Sequence, residues 1–295
     1  MRILHFSDPH FNLSLRTMPL KKWIGKRAFG ALNLLAGRGG CFDQVEDKIV
    51  ALNQFKNDFG VDLVLCTGDY TSFGSDAELR HSAKCIEPLR DVVNGFITVP
   101  GNHDIYTKDV IRAQSFSKYF SSAMSTDLPQ YDVGDGWPFV RLIGDDVAVI
   151  AVNSAKPNPI PWRSDGHIPS AQLESLKRIL DDVCLEGRFI FIMTHYAPRR
   201  EDGTPDSKLH GLQNADELLS VCRPISRGAL LCGHIHRPYR TQIHGLNIDL
   251  YCAGSVTKNH SEGFWLFDVE NGVCSARQGA FDLATYSYFL KDLIC

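Results

Sequence analysis

Short apolar runs that each end in a polar cluster are the feature that most constrains how this chain can fold. Several of these runs are apolar throughout, which is typical of strands covered on both faces of a sheet. Five of them lead directly into a polar cluster, so those polar side chains are predicted to lie at strand ends, where open α/β sheets bind ligands. The predicted strands are Ile3–Phe6, Leu63–Cys66, Phe96–Val99, Val147–Val152, Phe189–Met193, Ala229–Cys232, Asp249–Cys252 and Phe264–Val269.

Helical patterns lie between many of these runs. Two of them begin with a spacing typical of a capping box, at Asp43 with Glu46 and at Ser75 with Glu78. A third pattern covers Ser170–Glu186 with one apolar face. After about residue 228 the strands come closer together, which predicts a second and more antiparallel sheet.

The fold predicted from this order is an α/β sandwich of the α+β type. Two mixed sheets pack face to face with helices outside, because alternation of strands and helices in the first half favours an α/β architecture. A single domain over residues 1–295 is expected, since one large α/β domain can include a chain of this length.

Composition limits the compartment and the partners. The net charge is only −3, and no extended basic stripe is present, so no stable nucleic-acid complex is expected. The nine cysteines occur singly and mostly inside apolar runs, which is typical of a reducing compartment. The first apolar stretch is too short for a signal peptide, and no stretch is long enough to span a membrane. These features predict a cytoplasmic protein.

Residues 13–40 depart from the regular pattern. They carry six basic residues and no acid, together with apolar residues at helical spacing. One interpretation is a cap with its apolar face in the core. The other is contact with an anionic membrane surface or a lipid-like substrate, which would place the protein at the inner face of the membrane. A second irregular stretch, Arg199–Leu209, follows His195 and is either part of the site entrance or a plain surface loop.

The five polar clusters supply the ligand types that divalent metal ions prefer. Carboxylate, imidazole and amide groups without thiolate suit Mn, Fe, Zn, Co or Mg. Each motif alone is a weak signal, but five in this order predict two adjacent metals, an arrangement used for displacement at phosphorus. The clusters are Ser7-Asp8-Pro9-His10, Gly68-Asp69-Tyr70, Gly101-Asn102-His103-Asp104, Thr194-His195 and Gly233-His234-Ile235-His236.

With these clusters the chain resembles the calcineurin-like metallophosphoesterase superfamily, whose pattern is D-x-H, GD, GNH-[DE], H and GHxH. The resemblance extends from residue 3 to about residue 256. It implies two divalent metal ions, with manganese the first expectation. It also implies three ligand sets, which are Asp8, His10 and His236 for one metal, Asn102, His195 and His234 for the other, and Asp69 as the bridge.

The resemblance further implies that His103 is a catalytic residue and not a ligand. It would stabilise or protonate a phosphoryl oxygen in the transition state, and Asp104 would orient it. The longer GD-x-x-DRG block of the protein phosphatases in the superfamily is missing, since Tyr70-Thr71-Ser72-Phe73-Gly74 follows Asp69. That departure argues against a phosphoprotein phosphatase.

The function predicted from these residues is hydrolysis of a phosphoester, most simply a phosphodiester, by metal-activated water. One alternative is a UDP-2,3-diacylglucosamine pyrophosphatase acting on a membrane lipid, which the basic segment 13–40 favours. Two further hypotheses are a DNA nuclease and a non-catalytic metal-binding scaffold. The slightly acidic charge balance argues against the nuclease, and the complete ligand set argues against the scaffold.

Overall fold

The computed structural model describes residues 1–13, 25–35, 38–112, 114–158 and 160–292. In these residues two six-stranded sheets pack face to face, which confirms the predicted sandwich. The strands are β1 Arg2–Phe6, β2 Leu63–Cys66, β3 Phe96–Thr98, β4 Phe139–Ile143, β5 Val147–Ala151, β6 Phe189–Met193, β7 Gly228–Cys232, β8 Tyr239–Gln242, β9 Asp249–Cys252, β10 Phe264–Glu270, β11 Val273–Asp282 and β12 Ser287–Leu290.

The order of the strands differs from one expectation. The first sheet has the order β12-β11-β10-β1-β2-β3, and the second has the order β4-β5-β6-β7-β9-β8. Contrary to the expectation from their spacing, the strands after residue 228 therefore do not form one sheet. β10 instead pairs antiparallel with β1, on the side of β1 that is not occupied by its parallel partner β2. β11 then pairs with β10, and β12 with β11, in the same sheet. Spacing along the chain does not reveal which sheet edge is free to accept a strand.

Helices lie between many of the strands, and several of them pack on the outer faces of the two sheets. They are α1 Lys26–Leu35, α2 Val45–Asp58, α3 Asp76–Cys85, α4 Glu87–Arg90, α5 Lys108–Arg112, α6 Ser115–Phe120, α7 Ser170–Leu180 and α8 Ala215–Cys222. The helix predicted over Ser170–Glu186 ends earlier, at Leu180, and a 3₁₀ turn follows at Val183–Leu185. No helix in the described part of the chain is both long enough and apolar enough to cross a bilayer.

The two predicted capping boxes have different outcomes. At Ser75 the hydroxyl accepts the Glu78 amide at 3.1 Å and the Glu78 carboxylate accepts the Ser75 amide at 3.0 Å, which confirms the box. The box at Asp43 is wrong, because α2 begins after Gln44, which is left-handed with φ 53 and makes no side-chain cap. The Asp43 carboxylate accepts a hydrogen bond from the Asn259 amide instead, at 3.1 Å.

Alternation along each strand divides the apolar side chains between two layers. Ile3 faces the second sheet, whereas Leu4 packs beneath α2 with Ile49. Between the sheets, the rings of Phe191 and Phe267 meet at 5.3 Å. Each such fully buried apolar side chain contributes about 1.5–3 kcal/mol. This burial fixes the register of the strands, and so determines where each polar cluster emerges.

The loops after strands of both sheets meet at one edge of the sandwich. The His234 amide, after β7 of the second sheet, donates to Asp8 Oδ2, after β1 of the first sheet, at 3.0 Å. The Ser255 hydroxyl donates to the Asp8 carbonyl at 2.6 Å and adds the loop after β9. The predicted position of the polar clusters, at strand ends, therefore becomes a single site between the two sheets.

Candidate metal centre

Two groups of potential metal ligands lie side by side at this edge and share Asp69. One group contains Asp8, His10, Asp69 and His236, and the other contains Asp69, His195 and His234. Within each group the donor atoms all lie within 4.8 Å of one another. The structure thus brings together side chains that are separated by up to 228 positions in sequence, since the first is residue 8 and the last is residue 236.

The first group is built around the Asp8 carboxylate and two imidazoles. His10 Nε2 and His236 Nε2 are 2.9 Å apart. Asp8 Oδ1 lies 3.0 Å from His236 Nε2 and 3.6 Å from His10 Nε2. Asp69 Oδ2 lies 3.8 Å from His10 Nε2 and faces the same space. Four donor atoms therefore converge on one point.

The second group adds the amide oxygen of Asn102. Asn102 Oδ1 lies 3.1 Å from His195 Nε2 and 3.0 Å from His234 Nδ1. Asp69 Oδ2 is 3.4 Å from His195 Nε2. The same carboxylate oxygen thus faces both groups, which is the position of a bridging ligand.

Hydrogen bonds to backbone carbonyls orient three of the imidazoles. His10 Nδ1 donates to the Thr71 carbonyl at 3.2 Å, His195 Nδ1 to the Thr67 carbonyl at 2.7 Å, and His234 Nε2 to the His210 carbonyl at 3.0 Å. A ring nitrogen that carries the donated proton leaves the other nitrogen with a lone pair, as in histidines that bind metal. In each case that second nitrogen faces the centre.

The donor set fits a pair of dications. Asp8 Oδ1 is buried and accepts no hydrogen bond from the described residues. When the imidazoles are neutral, their nitrogen lone pairs and the carboxylate oxygens converge and repel one another, and a cation relieves that repulsion. Oxygen and nitrogen ligands of this kind suit Mn, Fe, Zn or Co.

Five of the seven proposed ligands have a left-handed backbone. The φ angles are 52 at Asp8, 47 at His10, 59 at Asp69, 69 at His234 and 56 at His236. Such a conformation costs a residue other than glycine about 1–2 kcal/mol. The cost is concentrated at the residues that must turn their side chains toward the centre, which is typical of functional sites.

Protonation of the ligands follows from their neighbours. Burial opposes the charge on Asp8, but the adjacent imidazoles of His10 and His236 hold the pKa of its carboxyl well below the usual range. Burial disfavours the His195 imidazolium, yet the Asp69 carboxylate raises the pKa of His195 to about 9. Burial and the charge of His195 lower the pKa of His234 to about 3. Near pH 7 the carboxylates are therefore charged and His234 is neutral, whereas His195 carries a second proton that a bound cation would displace.

His103 lies beside the centre in contact with both ligand groups. Its amide donates to Asp69 Oδ1 at 2.7 Å, and its Nδ1 donates to the Ser72 carbonyl at 2.7 Å. Its ring meets the His10 ring edge to face at 5.0 Å and stacks on Tyr106 at 5.2 Å. The Ser72 contact and the two rings fix the orientation of the imidazole.

Asp104 connects two ligand loops. Its Oδ2 accepts the amides of Asp69 at 2.8 Å and Gly101 at 3.0 Å, and its Oδ1 accepts the Thr71 amide at 3.2 Å. Burial and the charge of Asp69 raise the pKa of Asp104 to about 8. These contacts indicate a residue that positions the loops. Its orientation of His103, which the resemblance implies, stays a prediction.

The pattern of ligands agrees with a match to a known family. A family model described as calcineurin-like phosphoesterase matches residues 1–238. The chain belongs to the calcineurin-like phosphoesterase family. No curated protein sequence matches it.

Solved structures resemble this phosphoesterase in fold. A dimetal phosphatase from Danio rerio superposes with a TM-score of 0.63 at 13% identity, over 94% of each chain. A purple acid phosphatase from yellow lupin seeds superposes with a TM-score of 0.60 at 12% identity, over 98% of this chain and 52% of that chain. This phosphoesterase therefore spans about half the length of the lupin protein.

A cavity of about 590 Å³ opens beside the proposed metal ligands of this phosphoesterase. Its wall includes Lys26, Tyr106, Trp162 and Arg200, which the sequence motifs did not identify as site residues. Arg200 belongs to the polar stretch Arg199–Leu209, for which a place at the site entrance is one of the two interpretations. Lys26, Tyr106 and Trp162 lie outside the motifs, and only Lys26 has a sequence signal, which is the unusual composition of residues 13–40.

Among the described side chains of helix α1, the two basic residues are buried and two apolar residues are exposed. Lys26 and Arg27 are 6% and 5% exposed, whereas Phe29 is 39% and Leu32 is 65% exposed. Phe29 and Leu32 therefore contradict the interpretation of this segment as a cap whose apolar face lies in the core. Residues 14–24, 36 and 37 of the segment lie outside the described residues, so its proposed contact with lipid stays a prediction.

Proposed function

We propose that this chain hydrolyses a phosphodiester at a centre of two divalent metal ions. The observation that supports the proposal best is that two ligand groups share the Asp69 carboxylate. Asp8, His10 and His236 would hold one ion, and Asn102, His195 and His234 would hold the other. Two dications bound there supply Lewis acidity toward a phosphoryl oxygen and lower the pKa of a coordinated water.

The remaining residues of the proposed mechanism act on the substrate and on the ligands. His103 is oriented by its Nδ1–H donation to the Ser72 carbonyl. In the imidazolium form its Nε2–H can then donate a hydrogen bond to a phosphoryl oxygen or a proton to the leaving alkoxide. Asp104 holds the amides of Asp69 and Gly101 in place, and through them the bridging carboxylate. The cavity volume of about 590 Å³ is large enough for a phosphate with two organic groups.

Metal-dependent turnover of a simple diester tests this proposal. The purified chain is stripped of metal, reloaded with Mn, Fe, Zn, Co or Mg, and assayed with bis-p-nitrophenyl phosphate. We expect two ions per chain, activity that requires metal, and manganese as an effective ion. A chain that binds two ions and cleaves neither diesters nor monoesters would support the non-catalytic scaffold instead.

A lipid-linked diphosphate is the second candidate substrate. Phe29, which is 39% exposed, and Trp162, which is 64% exposed, both line the cavity, and Leu32 is 65% exposed one turn from Phe29. Exposed apolar residues at the edge of a site are a typical contact surface for lipid chains. This surface is the observation that favours the lipid alternative over the nuclease.

Two substrates separate these candidates. Phe29→Ser with Leu32→Ser should reduce turnover of a UDP-linked diacyl lipid in vesicles and leave bis-p-nitrophenyl phosphate unaffected. An equal effect of the double variant on both substrates would reject the lipid alternative. Val183→Ser with Val273→Ser is the control, because both residues are exposed and neither lines the cavity.

A further inference from the structure

Lys26 is a buried cation in the wall of the cavity that contains the proposed metal ligands. It is 6% exposed, and the same cavity is lined by Asp69, Asn102 and His103. Its ammonium donates to the Arg163 carbonyl at 3.1 Å and lies 4.7 Å from the centre of the Tyr106 ring. A neutral carbonyl and a ring face are the contacts that hold it.

Lys48, another buried lysine, has an acceptor for each of its three ammonium donors. Lys48 has the Glu262 carboxylate at 2.7 Å, the Thr257 carbonyl at 2.8 Å and the Asn259 amide oxygen at 2.6 Å. These three acceptors match the three donors of an ammonium group. Among the ion pairs within 4.0 Å in the described ranges, none involves Lys26. A buried charge without a counter-ion is costly unless a ligand supplies one.

Asp69 and Asp165, the carboxylates whose charges act on Lys26, do not serve as that counter-ion. Asp69 is shared by both proposed metal groups. Asp165 is occupied by Lys156 at 2.6 Å and by Arg163. Burial lowers the pKa of Lys26 to about 8, although the charges of both carboxylates oppose this shift. The ammonium therefore remains the predominant form near pH 7, with donors available toward the cavity.

The position of Lys26 is held by the surrounding helix and rings. Arg27, its neighbour on α1, pairs with Asp109 at 3.1 Å and donates to the Phe73 carbonyl at 3.3 Å. Gly30, one turn later, lies against Tyr106, and a Cβ there would be 2.7 Å from the Tyr106 hydroxyl and 3.1 Å from the Phe73 ring. Only glycine lets α1 approach this closely. The helix therefore presents the ammonium at a defined place.

We propose that Lys26 binds an anionic group of the substrate that the two metal ions do not contact. The preferred substrate then carries a second phosphate or carboxylate in addition to the scissile phosphoester. This inference rests on the proposed phosphoesterase function and names a substrate class within it. An ammonium that meets a phosphate in a site screened from water forms charge-assisted hydrogen bonds. Lys26 is then a specificity-determining residue that α1 delivers to the site.

A matched pair of substrates tests the proposal. One is propyl p-nitrophenyl phosphate, and the other is its analogue with a terminal phosphate on the propyl group. A charge-assisted hydrogen bond contributes about 1.5–3 kcal/mol, which corresponds to about 10- to 100-fold in kcat/KM. We expect the wild type to prefer the phosphorylated substrate by that factor and Lys26→Met to lose the preference. Turnover of the propyl substrate should stay within about threefold.

Stability separates binding from a structural role. Removal of a buried charge without a counter-ion should leave the Tm of Lys26→Met unchanged or raise it. Lys177→Met on the exposed side of α7 is the control for lysine removal and should change neither quantity. Equal losses on both substrates with a lower Tm, or no loss on either substrate, would overturn the proposal.

Failure of the proposed function is recognised separately. A wild-type protein that cleaves neither substrate contradicts the phosphoesterase activity, and the role of Lys26 is then measured by calorimetry with the uncleavable phosphonate analogues of both compounds. Lys26→Met should weaken binding of the phosphorylated analogue about tenfold or more and leave the propyl analogue unaffected. Equal affinity of wild type and variant for the phosphorylated analogue would reject the assignment.

Discussion

Substitution of Gly68 by alanine tests whether close contact between two ligand loops holds the candidate centre together. Gly68 precedes Asp69 and has φ +96, and a Cβ there would lie 2.7 Å from the Pro100 carbonyl carbon and 2.8 Å from the Val99 oxygen. These neighbours are backbone atoms of the loop that leads to Asn102. They cannot rotate away, so the loops must separate or the backbone must change conformation.

The expected loss of stability combines three contributions. The positive φ costs alanine about 1–3 kcal/mol. Overpacking against backbone costs about 1–3 kcal/mol more. The reduced entropy of the unfolded chain returns about 0.4–1 kcal/mol. The net loss is about 2–5 kcal/mol, which at about 2–4 °C per kcal/mol lowers the Tm by about 4–20 °C.

Two other glycines provide matched controls. Gly60 has φ +58, but a Cβ there meets nothing within 4 Å, so Gly60→Ala carries the backbone cost alone. Gly40 has neither a positive φ nor a neighbour within 4 Å, and Gly40→Ala should be nearly neutral. Thermal unfolding followed by circular dichroism ranks the three variants. We expect the largest loss at Gly68, an intermediate loss at Gly60 and the smallest at Gly40.

Metal content is the second measurement on the same variants. Because Asp69 and Asn102 follow the two loops that Gly68→Ala would separate, the variant should bind fewer than two ions per chain, whereas Gly60→Ala should bind as many as the wild type. Elemental analysis after dialysis provides the count. A Gly68→Ala protein as stable as Gly60→Ala, with both ions retained, would refute the reasoning from loop contact.

The remaining predictions concern the bridging carboxylate, the cavity imidazole and the buried lysine. Asp69→Asn removes the charge that both ligand groups share, so we expect the loss of at least one ion per chain by elemental analysis. We also expect kcat to fall by about 10²-fold or more, because changes to residues that only support metal ligands already cost about 10–100-fold. His103→Asn should lower kcat by about 10²–10⁴-fold with unchanged metal content; a parallel loss of metal would mark His103 as a ligand instead. Since the pKa of Lys26 is lowered to about 8 and only its protonated form binds an anion, the preference in kcat/KM for the phosphorylated substrate should decline as pH rises through about 8. Lys26→Arg should keep the preference at higher pH, because guanidinium stays charged, and a wild-type preference that is constant from about pH 6 to pH 10 would contradict the assignment.

Strand positions were the part of the fold that could be read from the sequence most directly. All eight predicted strands occur, because runs such as Leu63–Cys66 are apolar on both faces and are buried whichever sheet they join. The strands that were missed, such as β8 and β11, consist mainly of exposed or half-buried residues and lie at or near a sheet edge. Their polar residues resemble those of a loop, and only pairing with a neighbouring strand distinguishes such a strand from a loop.

The residue types of the proposed ligands could be read from the sequence, but the groups that orient them could not. Each proposed ligand belongs to a short motif of distinctive residue types. The partners of the imidazoles are backbone carbonyls, at Thr67, Thr71 and His210, and any residue provides a carbonyl. A sequence therefore carries no signal for them. The contacts of Asp104 with amides in two loops escaped prediction for the same reason.

The amino-acid sequence by itself determined which residue types stand at the ends of which apolar strands, and with them the donor chemistry available to a pair of dications. Only the tertiary structure decided that loops of both sheets meet at one edge, that β10 returns to pair with β1, and that α1 turns Lys26 toward the cavity and Leu32 toward solvent. The physical reason is the distance in sequence between the residues that interact. Composition and alternation are local properties of the chain, whereas a free strand edge, or a ring such as Tyr106 that a helix packs against, is supplied by residues distant in sequence.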